Sequence, residues 1–498
     1  MIKANNLLLS IIALLFVFNS SAVWYGFDRL PLVATSDEVF TNDPAISLVR
    51  GYGFIAKSLS GTLNFENAFG HYPPVYPFFQ ALLFHIFGIS PFTLRCTSII
   101  FYIFSMAGIT FIFFRLSQIG VFNIFSFFLI ALLYLSNPTS FSLARHGHPD
   151  SMALFFGILT FILLLSKAGV TPRKKRWVLA AIMMGLSVST HFQAVILWLI
   201  FVILLLFRFA RRNLKFALFL TLLPLFILAG IWIAANTTKS YIAALQFYRI
   251  SSLFLIKTGT EIIRLLMWGD RGLLGFLTAF IRSGYWTFIL LLFSWIVLLT
   301  RSILEIKRKG LRGLLNNKWL IILFSINLVS SVFILFTNLS AYRLGTIFPI
   351  ALAGVGVALP NMGFRSPAQK IIFGFIIFLV LCGLTINTIY ILRVRAEWAR
   401  RAPNRFFNFV RSLPLKTKIA TVFPLWFEFV RQGRSVQVIY LGPPIQYVDY
   451  YRKHPKYLDN FDILILFASE PPPPILLSRR TRLLEIGQEK FMIFEKKN

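Results

Sequence analysis

The chain is short of charge, and shorter still of acid. Among its 498 residues, Asp and Glu supply 18 against 50 Lys and Arg, and charged residues of both signs make up 14%. A soluble globular protein carries about 25% charged residues, so the scarcity excludes an ordinary soluble enzyme. Cysteine occurs only at Cys96 and Cys382, both inside apolar runs, which excludes a disulfide framework and a CxxC metal site. No Gly-rich loop suited to a nucleotide's phosphates is present, so a nucleotide-dependent reaction has no visible anchor. No internal repeat is evident either, which weakens an inverted-repeat transporter.

What the chain has is apolar residues, 57% of the total, in runs that recur from the N-terminus to about residue 391. Each crossing of a bilayer takes roughly 20 of them. The net charge of +32 invites a nucleic-acid partner, but the cations sit in short loops such as "RKKR" at 173 to 176, "RFARR" at 208 to 212 and "KRKGLR" at 307 to 312. That is the positive-inside pattern, which puts those loops in the cytoplasm and excludes nucleic acid as the partner. The fold class expected is an α-helical polytopic membrane protein of about eleven transmembrane helices with a large first outer loop. A small C-terminal α/β extracytoplasmic domain completes it.

The membrane domain is expected over 1–391 and the C-terminal domain over 392–498. Spans read at about 7 to 24, 93 to 114, 121 to 136, 152 to 166, 216 to 234, 284 to 300, 319 to 337, 344 to 360 and 371 to 391. "FQALLFHIFG" reads as a short helix at the membrane face. Residues 177 to 207 have basic flanks at both ends, which predicts a hairpin of two short helices with His191 near its tip. The stretch 236 to 283 reads as amphipathic and interfacial. In the tail, "SVQVIYLG", "DILILFAS" and "EKFMIFEKK" read as strands. Lys3, the run from Leu7 to Phe18 and "SSA" at 20 to 22 also fit a signal peptide; cleaved or not, the segment sends residue 25 outward.

The few acids are not scattered. "VATSDEVFTNDP", residues 33 to 44, holds Asp37, Glu38 and Asp43, and on this topology every acid up to residue 391 except Glu305 lies on the outer side. The positive-inside rule does not demand this, because acids contribute little to it. A carboxylate beside a membrane span is solvated, paired or functional. Asp37 with Glu38, and Asp150 with His148, are therefore candidates for a shared outward-facing polar site. Asp43, before Pro44, reads as the N-cap of a helix over 44 to 50.

Three stretches in order, "SDEVFTNDPAISLVRGYGF", "HYPPVYPFFQALLFHIFG" and "ARHGHPDSMALFFGILTFILL", resemble the C-type membrane glycosyltransferases. Within that superfamily they are most similar to the protein O-mannosyltransferases, the lipid A aminoarabinose transferases and the Rgt-type rhizobial sugar transferases. The resemblance covers roughly residues 7 to 360. It implies a polyprenyl-phosphate sugar donor and an inverting transfer at the outer face of the cell's plasma or inner membrane. The acceptor is a hydroxyl on protein, lipid or glycan, and membrane lipid surrounds the site. It also implies an aspartate of the first outer loop as catalytic base. Asp37 matches that base and Glu38 its neighbour, which supports the base or orients the acceptor.

Asp150 and His148 are then candidates to hold acceptor or sugar. Donor-phosphate candidates are Arg343 with Tyr342, in an order inverted relative to the family's, His71 with Tyr72 between it and the Pro pair, and His191. No metal ligand is assigned and no cofactor is certain; a divalent metal at the histidines stays open. A polysaccharide or lipid-linked glycan transporter, or a polymerase, is the rival reading. A transporter would carry its ionisable residues at mid-membrane.

Overall fold

The computed structural model describes residues 2–26, 36–59, 72–118, 123–165, 173–209, 213–235, 285–336, 367–400, 403–422, 425–439, 455–468, 474–486 and 489–496, with residues 65, 67, 69, 349, 352 and 472. The chain is a multi-pass helical membrane protein. Helix α1 (Ile2–Trp24) is followed by α2 (Ser36–Val49), the short α3 (Val75–Phe87) and the long α4 (Pro91–Gln118). Next come α5 (Ile124–Leu135), α6 (Pro138–Ala144), α7 (Asp150–Leu164), α8 (Lys174–Thr190), α9 (Val195–Phe209) and α10 (Leu214–Ala234). Beyond these lie α11 (Tyr285–Asn316), kinked at Gly310, then α12 (Lys318–Phe336) and α13 (Pro367–Arg400).

Local chemistry sets several starts. Pro91 and Pro138 open α4 and α6, where a missing N–H costs nothing. Asn123 and Asn213 cap α5 and α10, their side-chain oxygens accepting from Ser126 N at 2.7 Å and Phe216 N at 3.1 Å. The C-terminal end of α1 is satisfied from elsewhere: the buried Arg145 donates to the Tyr25 carbonyl at 2.7 Å.

Among the described residues, five helical stretches are long and apolar enough to cross a membrane: Asn6–Trp24, Pro91–Gln118, Phe192–Phe209, Leu214–Ala234 and Phe373–Leu392. Ile124–Leu135, Asp150–Leu164 and Leu320–Ser331 are shorter apolar helices in the same bundle. The bundle core joins Ile99 and Met106 of α4, Phe127 to Leu135 of α5, Met184 of α8, Phe201 of α9 and Leu379 of α13. The stretch "FQALLFHIFG" falls in α3, short as expected at 13 residues. The hairpin over 177 to 207 is α8 and α9, joined by a single turn over Phe192–Ala194 beside His191. The interfacial stretch 236 to 283 and the span 344 to 360, apart from residues 349 and 352, lie outside the described residues. The expected boundary after residue 391 falls inside α13.

One expectation needs correcting. Asp43 is not an N-cap: α2 already begins at Ser36 and runs through Pro44. Pro inside a helix removes a backbone hydrogen bond. Here tertiary packing overrides that cost, because Val39, Phe40, Ala45 and Ile46 are all buried, and the Asp43 carboxylate reaches out of the helix instead. It accepts from Ser58 N at 2.8 Å and Ser58 Oγ at 2.7 Å.

The tail adds α14 (Pro403–Ser412), α15 (Trp426–Arg431) and a small five-stranded sheet in the order β2-β1-β3-β5-β4. Its strands are β1 (Ile419–Thr421), β2 (Val436–Val438), β3 (Ile463–Phe467), β4 (Arg480–Ile486) and β5 (Glu489–Glu495). β2, β1 and β3 are parallel, whereas β5 is antiparallel to β3 and β4 to β5. Strands β2, β3 and β5 coincide with the sequence runs that read as strands. The sheet does not stand alone: Trp426, Phe429, Leu464 and Ile493 share one hydrophobic core with Phe40 and Ile46 of α2 and with Phe54, Phe65 and Phe69.

Candidate active site at one end of the bundle

Five elements bring their polar residues together at the end of the bundle away from the basic "RKKR" loop. They are the start of α2, the first turns of α4, the turn 145–149, the start of α7 and the α8–α9 turn. α8 has 17 residues, so Lys174 and His191 stand roughly 26 Å apart at 1.5 Å per residue.

The turn at 146–149 is held by its backbone. Gly147 N donates to Glu38 Oε1 at 2.8 Å, and the Gly147 carbonyl accepts from Thr41 Oγ1 and Asn42 Nδ2, both at 3.0 Å. From the other side, His148 N donates to Ser98 Oγ at 2.9 Å, and Ser98 Oγ donates to the His148 carbonyl at 2.7 Å. Two helices, α2 and α4, thus fix the turn that carries His148 and precedes Asp150. Gly147 makes the approach possible, since a Cβ there would lie 2.7 Å from the Leu94 carbonyl oxygen.

Glu38 is fully buried and accepts from Arg95 Nε at 3.2 Å, with His146 Nδ1 4.0 Å away. Burial pushes its carboxyl up, but Arg95, His146 and the Gly147 N–H outweigh it and leave the carboxyl below its ordinary value. Burial also drives His146 down to about 4, against the pull of Glu38, so at neutral pH that imidazole is uncharged. The charged pair is therefore Glu38 with Arg95, both removed from water. Glu38 is thus tied both to Arg95 and to the backbone of the turn at Gly147. Asp37 precedes it in the first turn of α2; its side chain lies outside the described residues.

Asp150 faces two imidazoles. His148 Nδ1 closes on Asp150 Oδ2, and His191 Nδ1 lies 3.5 Å from Asp150 Oδ1. His191 Nδ1 also accepts from Gln193 N at 3.3 Å. Tyr72 stacks on His191 with centroids 5.5 Å apart and meets His148 edge-on at 6.3 Å. The donor atoms of His148, Asp150 and His191 all lie within 4.8 Å of one another. Two imidazoles and one carboxylate with donor atoms so placed suit a first-row divalent cation. The residues present therefore fit a metal.

Of the sequence candidates, Glu38, His148, Asp150 and His191 come together here. His71, Tyr342 and Arg343 lie outside the described residues. Sequence reasoning missed Arg95, Ser98, Gly147 and Tyr72. Arg95 had a usable signal: a charged residue inside an apolar run is rarely idle. Ser98 and Gly147 had none, since their value lies in backbone contacts made across helices.

This is a helical membrane protein with a buried acid–base cluster at one end of its bundle. Residues 71–234 match the dolichyl-phosphate-mannose-protein mannosyltransferase family. ArnT from Cupriavidus metallidurans bound to undecaprenyl phosphate shares the fold at 12% identity, with 97% of each chain covered and a TM-score of 0.56. Its apo state gives 0.57 at the same identity and coverage. The oligosaccharyltransferase of Archaeoglobus fulgidus in complex with Zn and sulfate is 12% identical over 91% of this chain and 67% of that one, with a TM-score of 0.50. No curated protein sequence matches. The family match covers about a third of the chain, and the likeness to ArnT is one of fold.

Proposed function

We propose that the chain transfers a sugar from a polyprenyl-phosphate-linked donor to an acceptor hydroxyl, with inversion at the anomeric carbon. The site faces away from the basic cytoplasmic loops, in a plasma or inner membrane. The observation that carries this reading is the buried cluster of Glu38, Arg95, His148, Asp150 and His191 beside the turn of α2 that bears Asp37. Most of that cluster lies within the family-matched stretch, and a protein of the same fold has been solved with undecaprenyl phosphate bound.

In this reaction Asp37 takes the proton of the acceptor hydroxyl as its oxygen attacks the anomeric carbon. The bond from that carbon to the phosphate oxygen breaks, and its electron pair stays on the phosphate. The leaving phosphate is an anion and needs cationic or hydrogen-bonding partners rather than an acid. Arg343, with Tyr342 and His71, is proposed for that task, because a guanidinium can bind a phosphate in bidentate fashion. His148 and Asp150 orient sugar or acceptor hydroxyls, and Glu38 keeps α2 in register. A divalent cation held by His148, Asp150 and His191 would add fixed positive charge beside the reacting sugar.

Asp37→Asn tests the reading directly. Transfer from a polyprenyl-phosphate sugar should fall roughly 100-fold or more, with expression and membrane insertion unchanged. Turnover within a fewfold of wild type would remove Asp37 from the base role.

A further inference from the structure

Nothing so far gives the C-terminal sheet a task, yet it touches the helix on which the proposed base sits. Two hydrogen bonds cross between segments 380 and 379 positions apart in sequence. Arg50, just past the end of α2, donates to the Val430 carbonyl in α15 at 2.5 Å. Gln437 in β2 donates from Nε2 to the Ser58 carbonyl at 3.0 Å. Ser58 in turn donates its N–H and its hydroxyl to Asp43 in the middle of α2. The contacts form a relay from strand β2 through Ser58 to Asp43. Every member is buried: Gln437 is 9% exposed, Ser58 5% and Asp43 2%. The apolar residues around it are shared as well, since Phe40 and Ile46 of α2 and Trp426, Phe429 and Val430 belong to one core.

The opposite flank of α2 faces the reaction site. Glu38 pins Gly147 and pairs with Arg95, and Thr41 and Asn42 hold the Gly147 carbonyl. α2 is therefore gripped on one side by the turn that carries the sugar-site residues and on the other by the C-terminal sheet. We propose that the C-terminal sheet is a positioning clamp for α2: through Gln437, Ser58 and Asp43, and through Arg50, it sets where Asp37 stands relative to His148 and Asp150. The inference rests on the glycosyltransferase reading and deepens it by giving residues some 380 positions away in sequence a part in the same step. The clamp acts through geometry, so it touches neither donor nor acceptor. A small displacement of a reacting group is enough to slow a reaction without weakening substrate binding.

The test is a kinetic comparison in the full-length protein with Gln437→Ala, Gln437→Asn, Asp43→Asn and the double variant Gln437→Ala/Asp43→Asn, with Asp37→Asn alongside. Gln437→Ala should lower kcat roughly tenfold with the donor KM unchanged, measured at a temperature well below its thermal midpoint, where the variant is fully folded. Gln437→Asn keeps the amide on a shorter stem and should recover part of that loss. Because both residues act in one relay, the double variant should be no slower than the worse single one. Wild-type kcat in Gln437→Ala overturns the clamp, and so does a loss of activity that only follows a loss of folded protein. If Asp37→Asn is inactive while Gln437→Ala is normal, the base stands and the clamp falls. If Asp37→Asn is active while Gln437→Ala is slow, the base assignment falls and the clamp stands.

Discussion

At Gly147 a Cβ would lie 2.7 Å from the Leu94 carbonyl oxygen and 3.1 Å from Asn42 Nδ2. Neither neighbour can retreat freely, because one is helix backbone and the other is bonded to the Gly147 carbonyl itself. Gly147→Ala should therefore push the turn away from α4, costing about 1–3 kcal/mol as overpacking does. Turnover should fall further than stability, because His148 and Asp150 move with the turn. Thermal scanning and donor turnover on the same preparation check this, and an Ala variant normal in both would show that the turn is free to adjust. The same residues mark what the sequence could reveal. Glu38, His148 and Asp150 stood out because acids and histidines are rare in so apolar a chain. Their braces did not: a serine and a glycine among apolar neighbours look like packing until the helices that meet over them are known. Asp43 misled for a related reason. Asp before Pro is a common helix start, but the buried face of α2 holds the helix through that proline.

Among the elements, the α8–α9 hairpin was the most legible. Basic residues at both of its ends predict a helical hairpin, and the structure puts His191 at the turn between α8 and Phe192–Phe209, a stretch long and apolar enough to cross the membrane. Its partner across the site is the start of α7, so the hairpin tip and Asp150 together close the candidate cation site. Titrating the purified full-length protein with Zn²⁺ or Mn²⁺ should show about one equivalent bound and a rise in thermal stability, near 2.7 kcal/mol at a hundredfold excess over Kd. His191→Ala should reduce both, since it removes one of three donors. Equal binding by the Ala variant would mean that the cation sits elsewhere, and His148 and Asp150 would then act on sugar or acceptor directly. The small sheet was legible only in part. Its apolar strands β2, β3 and β5 could be read from their runs, whereas β4, "RTRLLEI", alternates too weakly and carries too many cations to announce itself.

Across the whole molecule, charge and chemistry separate along the bundle. Arg173 to Arg176 are exposed at one end of α8, while the Glu38–Arg95 pair and Asp150 are buried at the other. Lys and Arg in short loops fix orientation through the positive-inside bias, so the same cations that set topology also decide which compartment the site faces. The separation of Lys174 from His191, roughly 26 Å along α8, is close to the thickness of a bilayer's hydrocarbon core, which leaves little freedom for both ends to share a side. Cysteine labelling in intact cells checks this. Of the two native thiols, Cys96 is buried and Cys382 partly so, and a Cys382→Ala background removes the second. In that background Leu415→Cys, at a position 76% exposed on the loop before β1, should react with a membrane-impermeant maleimide. Lys174→Cys should react only after the membrane is opened. Labelling of Lys174→Cys from outside would invert the chain, turn the site toward the cytoplasm, and put the donor's polyprenyl-phosphate headgroup on the wrong face for the reaction proposed here.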